Sequence, residues 1–197
     1  MEGKVFRITL LRHGETIANE LRLYSGATDV PLSPHGIQGI LDLKRAGTYA
    51  DLDVAVFYTS GLQRTEETLR LIFGDRAHEQ AEGLREMNFG RFEMHSHEEL
   101  KDSPAYQAWI LDQTGLVACP GGESDRRFRH RVYLAFERIV QKQQDALIVC
   151  HGGVIARLMA HCFPDDPRRY YDWQPSTGRG FTAEFSGRHA RLWTPVP

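Results

Sequence analysis

An α/β fold built on a largely parallel sheet is predicted by three observations in this 197-residue sequence. Strand-sized apolar runs alternate with segments of helical periodicity. Two of those runs end alike, Leu10-Leu11-Arg12-His13-Gly14 and Val149-Cys150-His151-Gly152-Gly153. No internal repeat or low-complexity linker breaks the alternation, so the length fits one domain, or one domain with a small insertion.

The elements follow in order. Val5-Phe6-Arg7-Ile8-Thr9-Leu10-Leu11 is rich in branched and aromatic residues and reads as a buried strand. Ser33-Pro34 opens a helix, with Ser33 as cap and Pro34 at the first helical position, running to about Gly47. Asp53 to Tyr58 reads as a second strand and Gln63 to Phe73 as a helix. The stretch from Gly74 to Gly122 is less regular, with a helix expected near 96–113 and a break at Pro120-Gly121-Gly122. Ser124 caps a helix of roughly 125–143, in which Phe128, Val132, Phe136 and Ile139 share one face and belong to the core. Asp145 to Cys150 is a third strand, followed by a helix over about 154–162. Phe181–Phe185 and Ala190–Trp193 complete the sheet as edge strands joined by Ser186-Gly187-Arg188.

Composition narrows the function classes. The formal net charge is -2, which gives no footprint for nucleic acid or an anionic membrane. The apolar runs fall far short of the roughly 20 residues of a spanning helix. Cys119, Cys150 and Cys162 are odd in number and scattered, which favours a reducing cytoplasm over a disulfide framework. Met1-Glu2-Gly3-Lys4 leads into the first strand without a secretory pattern. A cytoplasmic protein without membrane or nucleic-acid partners is expected. No closed zinc set is present, and His95-Ser96-His97 lacks a third ligand nearby, so no metal or cofactor is expected.

Chemistry concentrates at the strand ends. If the first and third strands are parallel neighbours, His13 and His151 stand at one sheet edge, where open α/β sheets bind ligands. The glycine after each lets the backbone turn and a ligand approach. Arg12 suits a phosphate dianion, and histidine can act as nucleophile or acid/base. Arg64 falls in the first turn of the helix after the second strand. A cation there opposes the macrodipole, and a bound phosphate would remove the conflict.

Six segments, in order and over nearly the whole chain, resemble the histidine phosphatase superfamily, in its phosphoglycerate mutase-like branch with the R-H-G signature. Arg12-His13-Gly14-Glu15-Thr16 with Asn19 resembles R-H-G-x-T-x-x-N. Thr28-Asp29-Val30-Pro31-Leu32-Ser33 with Gly36 resembles T-D-x-P-L-[ST]-x-x-G. Ser60-Gly61-Leu62-Gln63-Arg64-Thr65 with Thr68 resembles S-x-L-x-R-[AT]-x-x-T. Leu84-Arg85-Glu86 with Phe89-Gly90 resembles the family's acid-bearing loop. Pro120-Gly121-Gly122-Glu123-Ser124 with Arg131 resembles its G-G-E-S segment. His151-Gly152-Gly153-Val154 resembles its second histidine motif. The chain is similar in length to the shorter phosphatases, including α-ribazole phosphate phosphatases. Phe89-Gly90-Arg91-Phe92-Glu93 is similar to that subgroup's F-G-x-W-E, with Phe92 where tryptophan is usual and Met94 where glycine often follows.

The resemblance implies a three-layer αβα fold with a mostly parallel central sheet, one domain over 1–197, and a rim insertion at about 74–120. It implies a metal-independent phosphomonoester hydrolase in which His13 attacks phosphorus and becomes a phosphohistidine. Arg12, Arg64 and His151 would surround the phosphoryl oxygens, with Asn19 and the Gly152 N–H as further donors. Glu86 would protonate the leaving alkoxide and then activate water. The substrate would be a small phosphorylated metabolite, with α-ribazole 5′-phosphate as a candidate. The alternatives are a phosphoglycerate mutase-type phosphotransferase or a non-catalytic phospho-ligand binding module. The basic-aromatic cluster Arg168, Arg169, Tyr170, Tyr171 and Trp173 reads equally as a packed helix end or as a substrate lid.

Overall fold

The computed structural model describes residues 4–52, 54 and 56–196. Its elements are β1 (Val5–Arg12), α1 (Ile17–Glu20), α2 (Pro34–Arg45), β2 (Val56–Thr59), α3 (Gln63–Phe73) and β3 (Glu79–Gln80). They continue with α4 (His97–Leu100), α5 (Pro104–Ile110), α6 (Asp125–Val140), β4 (Ala146–Cys150), α7 (Gly152–Cys162), β5 (Gly180–Ser186) and β6 (His189–Val196). The strands form a six-stranded sheet in the order β3-β2-β4-β1-β5-β6. The first four of that order run parallel, while β5 and β6 are antiparallel additions.

Side-chain alternation builds the layers. Along β4, Leu147 and Val149 point to one face and Ala146, Ile148 and Cys150 to the other, because successive strand residues alternate. The first pair packs with Ile40 of α2 and Leu69 and Ile72 of α3. The second set packs with Phe128, Val132 and Phe136 of α6 and Val154, Ile155 and Leu158 of α7. Both strand faces of β4 are covered, which suits its five consecutive buried residues.

The caps explain where helices start. Ser33 accepts the Gly36 N–H at 3.0 Å, with Pro34 at the first helical position. Ser124 caps α6 through the Arg127 N–H, and Phe128, Val132, Phe136 and Ile139 are buried as expected. Several expectations need correction. The single helix near 96–113 is two helices, because Ser96 and Glu99 form a capping box and Pro104 starts a fresh helix. The helix expected to reach 143 ends at Val140, and the one expected from 154 starts at Gly152. β5 is not an edge strand: it pairs with β1 on one side and β6 on the other. In the second strand, Asp53 and Ala55 lie outside the described residues.

The register positions the chemistry. Arg12 of β1 pairs with Cys150 of β4, so His13 and His151 leave the sheet side by side. The His13 N–H donates to the Cys150 carbonyl at 3.0 Å and locks that alignment.

Candidate active site

His13, Arg64 and His151 are 5%, 1% and 0% exposed, a concentration of buried polar groups that folding alone does not favour. The two imidazoles meet edge to face, with ring centroids 5.1 Å apart. His13 Nδ1 lies 2.6 Å from the Gly14 carbonyl. A carbonyl only accepts, so Nδ1 carries the proton and Nε2 keeps the lone pair. Gly14 itself must be small: a Cβ there would fall 2.8 Å from Ile40 Cγ1. Its N–H donates to Thr68 Oγ1 at 2.9 Å, which fixes the peptide between His13 and Gly14.

His151 has the opposite tautomer. Arg64 Nε donates to its Nδ1 at 3.3 Å, so its proton sits on Nε2, 2.8 Å from Ser60 Oγ. Thr65 Oγ1 donates to the Leu62 carbonyl at 2.7 Å, which leaves the Ser60 hydroxyl to donate to Thr65 at 3.2 Å. The chain of donors therefore runs His151 to Ser60 to Thr65 to Leu62, all in one sense.

Electrostatics keep both rings neutral. Burial pulls the His13 pKa well below the usual histidine value, and Arg64 and Arg12 pull it further against the Gly14 hydrogen bond. Burial, Arg64, His13 and Arg12 do the same to His151.

Arg64 turns away from its helix. Its terminal nitrogens donate to the Gly26 carbonyl at 2.8 Å and the Thr28 carbonyl at 3.0 Å. Asp29 accepts the Gln63 N–H at 2.8 Å, which places an anion at the α3 N-terminus and offsets the awkward cation. Arg12 donates through Nη1 to the Pro175 carbonyl at 2.8 Å, while its Nε is buried without a partner among the described residues. A buried charged donor left unpaired is a place for an acceptor. Gly152 lets this guanidinium approach, since a Cβ there would sit 3.3 Å from Arg12 Cζ.

Glu86 lies at the start of α7. Its Oε2 accepts the Gly153 N–H at 2.8 Å and its Oε1 the Met87 N–H at 2.9 Å. Arg131 secures the loop that carries it, donating to the carbonyls of Gly83, Arg85 and Glu86 at 3.0, 2.7 and 2.8 Å. Glu123 pairs with Arg131 at 2.7 Å and accepts the Asn88 N–H at 3.0 Å. Burial raises the Glu123 pKa, but Arg131 and Asn88 outweigh it and the net shift is downward.

Other candidates have local roles. Asn19 Oδ1 accepts from the Thr16 N–H at 3.1 Å, closing the α1 capping box. His95 and His97 diverge, one bonding the Glu93 carbonyl and the other the Tyr106 hydroxyl. Among the described residues, Glu15, Glu20 and His35 bring ligand atoms within 4.8 Å of one another. Glu15 already meets His35 at 2.8 Å, and Glu20 takes the Ser33 hydroxyl. In the basic-aromatic cluster, Arg168 stacks on Trp193 and Trp173 at 4.3 and 5.0 Å, Trp173 is buried, and Tyr171 is 77% exposed. Tyr170 lies under Arg157, 4.3 Å from the guanidinium carbon to the ring. Phe92, in place of tryptophan, is buried against Tyr106 and Trp109, so that departure is one of packing. Sequence reasoning missed Ser60, Gly26, Thr28 and Glu93 as site residues; each acts through a hydrogen bond that no spacing reveals.

The arrangement combines a neutral imidazole with a free Nε2, two arginines, a second histidine and a carboxylate at a helix start. That set suits in-line attack on a phosphoryl group. A sequence profile of the histidine phosphatase superfamily (branch 1) matches residues 8–193. An adenosylcobalamin/alpha-ribazole phosphatase of Escherichia coli (strain K12) is 35% identical over 160 residues, spanning 78% of this chain and 77% of that protein. A metal-independent phosphoserine phosphatase of Arabidopsis thaliana is 31% identical over 164 residues, spanning 79% and 68% of the two chains. The crystal structure of the alpha-ribazole phosphatase from Shigella flexneri superposes with a TM-score of 0.84 at 31% identity, covering 95% and 94%.

Proposed function

The chain belongs to the histidine phosphatase superfamily (branch 1), and on that premise we propose that it hydrolyses a small phosphomonoester through a phosphohistidine on His13. The observation that carries this reading is the His13 tautomer: Nδ1 is committed to Gly14, and burial beside two arginines keeps Nε2 unprotonated. Nε2 attacks phosphorus, the ester P–O bond breaks, and Glu86 gives its proton to the departing alkoxide. The Gly14 carbonyl holds the proton on Nδ1 of the phosphoimidazolium. Arg12 and Arg64 neutralise the phosphoryl oxygens, with His151 and the Gly152 N–H beside them. In the second step Glu86 takes a proton from water, the new oxygen attacks phosphorus, and the Nε2–P bond breaks. Asn19, with its carbonyl oxygen in the α1 cap, has only its amide N–H groups to offer a ligand.

The mechanism needs no metal, since fixed cationic side chains supply the charge stabilisation. α-Ribazole 5′-phosphate is the leading substrate candidate, because relatives about a third identical carry that name. Beside the phosphate site, the rings of Tyr24, Phe89 and Trp109 pack 5.1 to 5.9 Å apart, and Phe89 borders Gly26, whose carbonyl holds Arg64. We place the protein in the cytoplasm; the free Cys119, Cys150 and Cys162 fit a reducing compartment. Among the described residues, no helix is long and apolar enough to cross a membrane.

The test is a panel of phosphomonoesters including α-ribazole 5′-phosphate, sugar phosphates and phosphoglycerates, with rapid acid-free trapping of phosphoenzyme. Wild type releases phosphate and keeps its activity in EDTA. His13→Ala folds, forms no phosphoenzyme and loses turnover. Interconversion of 2- and 3-phosphoglycerate without phosphate release would assign it to the mutases. Wild-type turnover by a folded His13→Ala would sink the nucleophile assignment.

A further inference from the structure

Arg64 is held mainly by main-chain carbonyls, and carbonyls hold a cation only if their peptides cannot rotate. Glu93 stops that rotation. Its Oε1 accepts the N–H groups of Ala27 and Phe89, both at 2.9 Å. Its Oε2 accepts the Thr28 N–H at 3.2 Å and the Thr28 hydroxyl at 2.8 Å, and the Gly26 N–H reaches both oxygens at 3.2 and 3.0 Å. The peptide between Gly26 and Ala27 is the decisive unit. In a trans peptide the N–H and C=O point in opposite directions. With its N–H on Glu93, this peptide turns its carbonyl onto Arg64 Nη2 at 2.8 Å. The line therefore runs from carboxylate to peptide dipole to guanidinium to His151 Nδ1.

Two backbone features serve the same contact. A Cβ on Gly26 would lie 1.6 Å from the Met87 carbonyl, so only glycine lets this loop lie against the chain that carries Glu86. Met94, just after Glu93, adopts φ +60°, a left-handed conformation disfavoured for a non-glycine residue. Its N–H thereby reaches the Tyr24 carbonyl at 2.7 Å and ties down the near end of the loop.

We propose that Glu93 is a positioning residue of the phosphate site, holding Arg64 against the phosphoryl position through the Gly26–Ala27 peptide without touching substrate. This rests on the phosphatase reading for the identity of the ligand. The link to Arg64 is tested independently of it.

Glu93→Gln puts an NH2 against N–H donors and turns the loop. In that variant the dissociation constant for inorganic phosphate rises by at least about tenfold, the worth of one charge-assisted hydrogen bond. KM for 4-nitrophenyl phosphate rises as well, and kcat falls, because Arg64 serves both the bound phosphate and the transition state. In an Arg64→Ala background the same substitution changes phosphate affinity less than about twofold, because the two act in one line. The His13 imidazole, followed by NMR, titrates higher in Glu93→Gln than in wild type, since Arg64 no longer holds it down. A folded Glu93→Gln with wild-type phosphate affinity and His13 titration overturns the proposal, as does an equal loss in both backgrounds. If Glu93→Gln does not fold, Thr28→Val removes one donor to the carboxylate: it weakens phosphate about two- to threefold, and wild-type affinity there overturns the proposal. A wild type that neither binds phosphate nor hydrolyses esters refutes the phosphatase reading alone, while the His13 titration still decides the role of Glu93.

Discussion

His13 and His151 are buried as neutral rings, and the cost of keeping them so is visible as a pH dependence of folding. Their folded-state pKa values lie well below the unfolded value of about 6.5. Below about pH 6.5 the unfolded chain therefore binds protons that the folded protein refuses. Stability is full above that pH and is lost as pH falls toward the lowered values, at up to about 1.4 kcal/mol per pH unit for each ring. Urea unfolding at pH 7.5, 6.5 and 5.5 measures this. His13→Asn removes one titrating ring, and its stability falls less steeply than wild type over the same range. An equal slope would show that His13 is not held neutral. Arg12, His13, Arg64 and His151 were legible in sequence because each stands at the end of an apolar run or the start of the next helix. Glu93 was not, because it grips Gly26, Ala27 and Thr28 from more than sixty positions away.

The start of α7 carries more of the site than its sequence suggests. Gly152 and Gly153 are expected to let the backbone turn after His151, yet both are helical, and each leaves room for one side chain of the candidate site, Arg12 and Glu86. A Cβ on Gly153 would lie 2.5 Å from Glu86 Oε1, the movable end of a side chain. Gly153→Ala therefore keeps the fold and displaces Glu86. Helix propensity favours the variant by up to about 1 kcal/mol, so its Tm is equal or higher. Its kcat falls by about ten- to a hundredfold for alkyl phosphates, whose leaving group needs a proton, and much less for 4-nitrophenyl phosphate. Equal losses on both substrates would remove Glu86 from the role of general acid. Strong local signals made other elements legible: α3 runs from Gln63 to Phe73 as expected, and Ser33-Pro34 starts α2. The weak ones were short. β3 is two residues long and α1 four, below the length at which periodicity speaks.

At the scale of the molecule, the parallel strands, the two helical layers and the shared histidine edge were legible, since alternating patterns and paired strand ends specify them. The placement of β5 was not, because an antiparallel addition beside β1 follows from pairing across the whole chain. The expected rim over 74–120 also gains a physical character. Leu84, Met87, Phe92, Leu100, Tyr106 and Cys119 from that stretch are buried in one continuous cluster with Ile8, Leu10, Ile148 and the inner faces of α6 and α7. A rim with its own core would open alone; a rim that shares the sheet's core unfolds with it. Tyr106 is the place to test this, being fully buried among Tyr24, Phe92 and Trp109, with its hydroxyl 2.6 Å from Tyr24 and 2.7 Å from His97. Tyr106→Ala removes a large buried ring and costs about 3–5 kcal/mol. That loss lowers the melting temperature of the entire protein. Far-UV and near-UV signals still fall together in one transition, and the phosphate-induced rise in Tm persists at temperatures where the variant is folded. An early near-UV transition that leaves the far-UV signal and phosphate protection intact would instead make 74–120 a separately folding cap, and the single cooperative unit would be wrong.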